Sequence, residues 1–252
     1  MKYEVYKKIY KKLNSTDDVN SLMKEFNVER DLLLSLLSQK IVRKVKRRYY
    51  KIKKKRKILR KKWDRGKSIM EIAEEYEFAP VLTASFVFQD IFSKKKFKEN
   101  LKEPDKIKNK RIKREIKKVV EKDIVYSPKF IELQTKSGVS CEERTKNWLI
   151  KKNIKFITEE GAREENFRKT PDFLLTTPFS LNGLEVRWVE SKAGFGDLIK
   201  FKEDFKGQLN PYVRLFGSGL IVYWAGHLDR LTSFSDRVLV CSKEFFEDGE
   251  KV

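Results

Sequence analysis

Apolar positions recur three and four residues apart through the first ~95 residues, and no strand-like alternation interrupts them. The pattern predicts an all-helical region, and it repeats. The stretch LMKEFNVERDLLLSLLSQKI at 22–41 lies over IAEEYEFAPVLTASFVFQDI at 72–91, an offset of fifty. Phe26 falls on Tyr76, Val28 on Phe78, Leu32 on Leu82, Gln39 on Gln89 and Ile41 on Ile91. Each copy reads as a short helix, a tight turn at Asn27-Val28 or Glu77-Phe78, and a second helix, the helix-turn-helix pattern. Ser68 followed by Glu71 is a capping-box signature, and Pro80 suits the first turn of a helix. A plain helical hairpin in a bundle would show the same pattern.

Between the copies, KIVRKVKRRYYKIKKKRKILRKKW at 40–63 contains no acidic residue until Asp64. Ile41, Val45, Tyr49, Ile52 and Leu59 form one narrow apolar stripe, which leaves a broad cationic face. Such a face can contact several phosphates through Arg43, Lys44, Arg47, Arg48, Lys51, Lys54 and Lys55. A solvated helix or a localisation signal is the plainer alternative. Residues 94–122 are charged and broken at Pro104, which predicts a linker and an amphipathic helix.

From about residue 124 the texture changes. Short apolar runs at 171–176, 184–190, 219–224 and 237–241 alternate with helical patterns, which predicts an α/β region. The expected organisation is therefore α+β overall, with tandem helix-turn-helix units at 1–98, a basic helical linker at 99–123 and an α/β domain at 124–252.

In LEVRWVESKAGFGD (184–197) the side chains of Val186, Trp188, Glu190 and Lys192 share one face of a strand. An apolar face that continues into a carboxylate and an ammonium is costly unless the charges are paired or hold a metal. Eighteen residues earlier, Asp172 opens another apolar strand within KTPDFLL, where Pro171 favours an extended Thr170. If the two strands are antiparallel neighbours, two carboxylates and an ammonium converge. Converging carboxylates repel unless a cation lies between them. Upstream, Glu142 shares a helix face with Thr145 and Leu149, while Glu143 is the competing carboxylate. Downstream, Gln208 and Tyr212 are spaced to share a helix face, either toward substrate or packed under the sheet. Trp148, Trp224 and Phe173 are expected in the core, Trp188 beneath the site, and Asp197 as a helix cap.

Composition narrows the chemistry. Lys and Arg total 58 against 37 Asp and Glu, a net charge of +21 in 252 residues. That surplus suggests a polyanionic partner, nucleic acid above all, with DNA preferred to RNA. His227 is the only histidine, which argues against a histidine zinc site and most Ser-His or Cys-His arrangements. Any metal would be a hard ion on carboxylates, Mg²⁺ or Mn²⁺. Two cysteines fit a reducing, intracellular compartment, cytoplasmic in a prokaryote and nuclear in a eukaryote. No run of about 18 apolar residues predicts a membrane span.

KTPDFLL, WVESKAGFGD, RLFGSGLIVYWAG, IVYSP and the duplicated helical front together resemble the TPD-motif family of the PD-(D/E)XK nucleases. The resemblance runs across most of the chain and is strongest from about 124 to 225. It implies a restriction-endonuclease-like α/β/α core and metal-dependent phosphodiester hydrolysis. It implies Asp172 and Glu190 as metal ligands, Lys192 as the catalytic lysine, Glu142 as the helix carboxylate and the Ser191 carbonyl as a main-chain ligand. A resolvase of this kind would require a homodimer. A non-catalytic DNA-binding or scaffold protein on a nuclease-like fold is the alternative.

Overall fold

A computed structural model describes residues 1–247. The chain divides into two compact units, Met1–Leu37 with Lys136–Val252, and Ser38–Thr135. Neither expected boundary, after 98 or after 123, coincides with this division. No helix among the described residues is long and apolar enough to cross a membrane.

In the first unit, helices α1 (Tyr3–Lys12) and α2 (Val19–Phe26) lead into α3 (Arg30–Lys54), whose first residues belong to this unit. The turn between α2 and α3 is at Asn27, which adopts the left-handed conformation at φ 50°. The end of α9 (Pro128–Lys151) then leads into a five-stranded sheet. Its strands are β1 (Phe156–Thr158), β2 (Phe173–Leu181), β3 (Leu184–Lys192), β4 (Gly219–Tyr223) and β5 (Val238–Cys241), in sequence order. β1, β2 and β3 are antiparallel neighbours, whereas β3, β4 and β5 run parallel. The four apolar runs of the sequence thus became strands, and the sheet is mixed. A short helix α10 (Glu159–Glu164) follows β1, and α13 (Glu244–Glu247) follows β5. β4 is buried along its whole length, as expected for a strand flanked on both edges.

The crossover from β3 to β4 comprises α11 (Leu198–Asp204), a π-helical turn at Phe205–Leu209 and α12 (Asn210–Phe216). Asp197 caps α11 as expected, accepting from the backbone N–H groups of Ile199 (3.0 Å) and Lys200 (2.8 Å). On the other sheet face, Cys141 and Leu149 of α9 pack on Phe173, Leu175, Val189 and Val222.

The second unit is helical, with the remainder of α3, α4 (Arg56–Asp64), α5 (Ile69–Glu75), α6 (Pro80–Val87), α7 (Lys94–Lys102) and α8 (Lys110–Lys122). Ser68 and Glu71 form the expected capping box, and Pro80 opens α6. The turn residue Glu77 is left-handed at φ 44°, matching Asn27 fifty positions earlier. The region expected as a linker is part of this core. Ile112, Ile116 and Val119 of α8 are buried. The buried Glu115 accepts from the Ile69 N–H (2.9 Å) and the buried Asp123 from the Val81 N–H (2.9 Å). These carboxylates satisfy N–H groups that the first turns of α5 and α6 leave open.

The second copy of the repeat departs from a groove-reading motif. No residue of α6 is exposed, and Val81, Thr83, Ala84, Phe86 and Val87 are buried. A helix apolar on all sides is enclosed by its neighbours and has no face to offer a DNA groove.

Candidate active site

The β2–β3 register places the site. Phe173 pairs with Val189, so the preceding Asp172 lies beside Glu190, and Pro171 comes opposite Ser191. Proline has no N–H, so it offers no ladder hydrogen bond to the Ser191 carbonyl. The Ser191 N–H instead donates to Asp172 Oδ2 at 2.7 Å. The Asp172 N–H in turn donates to Glu190 Oε2 at 3.3 Å, and Lys192 Nζ donates to Glu190 Oε1 at 2.5 Å. Each strand end therefore holds the other's carboxylate.

Burial sets the electrostatics. Glu190 is only 1% exposed. Burial, reinforced by the Glu190 charge, raises the Asp172 pKa to about 7. Burial also raises Glu190, against the opposing pull of Lys192. For Lys192 burial is the largest single influence and lowers its pKa, but the attraction and hydrogen bond of Glu190, with Asp172 and Asp204, raise it overall. The lysine is therefore held charged. A half-buried and a buried carboxylate at one strand end, beside the Ser191 carbonyl opposite Pro171, are a hard-oxygen donor set suited to Mg²⁺ or Mn²⁺.

Beneath the site, the indole of Trp188 is fully buried and donates to the Gly217 carbonyl at 2.9 Å. A Cβ on Gly219 would lie 2.1 Å from that indole, so only glycine lets β4 approach this closely. On the opposite face, Trp224 Nε1 donates to Ser191 Oγ at 2.9 Å. Trp224 and Phe173 are core residues as expected, and Trp148 is half-buried among Phe179, Phe245 and Phe246.

The helix carboxylates do not join the cluster. Glu142 and Glu143 are exposed, and Glu142 reaches Asp172 only as a repulsive charge that helps to raise its pKa. Among the described residues no group of three or more His, Cys, Asp or Glu side chains is gathered closely enough to hold a metal ion. Tyr212 takes the packed alternative. It is buried, and its hydroxyl donates to the Thr170 carbonyl at 2.9 Å. It therefore anchors the segment leading into Asp172 and is not available to nucleic acid. Gln208 is half-buried in the π-helical turn one turn earlier.

A further buried acid near the site was not legible in the sequence. Asp204 is 5% exposed, accepts from the Tyr223 hydroxyl at 2.8 Å and pairs with Lys200. Its charge raises both Glu190 and Lys192. The Lys200–Asp204 spacing is an ordinary helical ion pair. Only the placement of β4 beside β3 brings Tyr223 to it.

In the helical unit the cations differ in their pairing. Lys44 (3.4 Å) and Arg48 both pair with Glu77. Arg43 donates to Gln39 at 3.2 Å, and Lys55 lies 5.5 Å from the Tyr76 ring centre. Arg47, Lys51 and Lys54 are exposed and have no acidic partner among the described residues.

Residues 108–245 match the family described as "Protein of unknown function TPD sequence-motif". The chain belongs to this family. It is 29% identical over 188 residues to a mouse protein named CDAN1-interacting nuclease 1, covering 71% of this chain and 67% of that protein. The human protein of the same name is 28% identical over 177 residues, covering 67% of this chain and 63% of the relative. The zebrafish protein is 27% identical over 188 residues, at 71% and 63%. The matches thus span about two thirds or less of the relatives' own length. No solved structure matches the chain.

Proposed function

We propose that this protein is a divalent-metal-dependent nuclease that hydrolyses phosphodiester bonds in DNA. The observation that carries this reading is the interlock at the strand ends, where Asp172, Ser191, Glu190 and Lys192 hold one another. The nuclease name of the relatives points the same way.

Asp172, Glu190 and the Ser191 carbonyl would hold Mg²⁺ or Mn²⁺, which when bound lowers the pKa of a coordinated water and polarises a phosphate. Lys192, held charged by its carboxylate neighbours, positions that water or stabilises the charge that develops on the phosphate. A raised pKa makes it a poor general base at neutral pH. Tyr212 and Trp188 keep Asp172 and Glu190 in register. Glu142, exposed on α9 outside the cluster, would act on the site only through intervening water. The unpaired cations of α3 hold the nucleic-acid backbone without reading sequence.

A nuclease assay on duplex, branched and single-stranded DNA, titrated with Mg²⁺ and with EDTA as control, tests the reading. Cleavage should require the metal and disappear in Lys192→Ala and Asp172→Asn. Cleavage that survives in both variants removes the assignment. Metal-independent binding with no cleavage by the parent protein would favour a non-catalytic scaffold.

A further inference from the structure

Tyr50 is 75% exposed, the most exposed of the large hydrophobic residues. It stands on the cationic face of α3, and the opposite face of that helix is anchored by the buried Val45 and Ile52. Tyr49 meets the Tyr50 ring edge-on at 5.5 Å and itself packs against the buried Phe86 at 5.6 Å, so the exposed ring rests on a half-buried aromatic that is seated on the core. Arg47 and Lys54 lie one helical turn to either side, and Lys51 is adjacent. None of the three has an acidic partner among the described residues.

We propose that Tyr50, with Arg47, Lys51 and Lys54, forms a binding site for single-stranded nucleic acid. The ring stacks on an unpaired base and the cations hold its flanking phosphates. Isolated exposed aromatics are ordinary on protein surfaces, but this one sits among uncompensated positive charges. Phosphates alone would need only the cations. In a closed duplex the bases are already stacked on one another, whereas a single strand offers free π-faces. The enclosure of α6 also leaves this unit without a groove-reading helix there, which favours a strand over a duplex as ligand. The inference rests on the reading that the protein acts on nucleic acid.

The test uses the full chain in EDTA, a labelled oligothymidine of about 20 nucleotides and a duplex of the same length, each at two salt concentrations. Tyr50→Ala should weaken single-strand binding about fivefold or more, leave its salt dependence unchanged and alter duplex binding less than about twofold. Tyr50→Phe should bind as the parent does. Replacing Arg47, Lys51 and Lys54 together by alanine should reduce the salt slope on the single strand by about 2. The proposal falls if Tyr50→Ala binds the single strand within about twofold of the parent, or weakens the duplex equally. If the parent binds neither nucleic acid but does bind polyglutamate, the surface serves an acidic protein, and the nucleic-acid reading falls with it. A Tyr50-dependent single-strand affinity in a protein that never cleaves would uphold this site and remove only the nuclease.

Discussion

The end of β3 and the exposed face of α3 use the same kinds of side chain in opposite surroundings. At the strand end, Glu190 and Lys192 are drawn out of water beside Asp172, and burial and mutual charge shift all three. On α3, Arg47, Lys51 and Lys54 remain in solvent without acidic partners among the described residues. Buried charges interact strongly over short distances and can be aimed at one atom. Exposed charges are screened within about 8–10 Å and act as a field. On the proposed function, the contrast separates a site for chemistry from a surface for attachment.

The sharpest way to break the contrast is Lys192→Ala. Metal-dependent cleavage should fall by at least about 10²-fold while nucleic-acid affinity stays within about twofold, because attachment lies elsewhere. Equal loss of both would show that the two regions are not separable.

Gly219→Ala tests the support beneath the buried pair. The new methyl would sit 2.1 Å from the Trp188 indole, so β4 or the indole must move. Thermal or urea unfolding should report a loss of about 1–3 kcal/mol or more. An unchanged midpoint would mean that the strand spacing is not set by this contact.

A pH series probes the buried charges more gently. The folded-state pKa of Asp172 is raised, so its contribution to stability is fully present below its unfolded value near 4. That contribution is lost as pH rises to about 7. In metal-free buffer Asp172→Asn should therefore gain melting temperature relative to the parent as pH is raised across this window, reaching several degrees. Added Mg²⁺ should stabilise the parent and not the variant. A melting difference that does not change with pH would refute the rise of the Asp172 pKa that burial, with the Glu190 charge, produces.

The smallest effect is expected at Glu77. Its left-handed φ of 44° disfavours a side chain, while its carboxylate pairs with Lys44 and Arg48 on the surface. Glu77→Gly should relieve the first and lose the second, two small and opposing effects, so unfolding should shift very little. A large loss would mean that the turn's ion pairs matter more than exposed pairs usually do.

Much of the fold could be read before the structure. Short apolar runs located the strands from β2 to β5, and the offset-fifty repeat located two tight turns, at Asn27 and Glu77, both left-handed in the structure. The parity of Trp188, Glu190 and Lys192 on β3 was also legible, because a strand's faces follow from counting by two. Other features were not. The helix expected as a linker carries core residues and two buried capping acids, and its charged surface concealed them. The division of the helices between the two units was not legible either, since chain order says little about which helices pack together. Tyr212 has the spacing of a substrate contact and is instead tied to Thr170, a partner 42 positions away.

By itself the sequence determined the elements, their faces and the residue types available for chemistry, because these follow from local periodicity and side-chain identity. Only the tertiary structure decided which charges meet. The register that pairs Phe173 with Val189 sets Asp172 against Glu190 and Ser191, and the parallel pairing of β3 with β4 brings Tyr223 to Asp204. Register is a relation between distant segments. A slip of one residue would turn every one of these side chains to the other face, and no count along a single strand can reveal it.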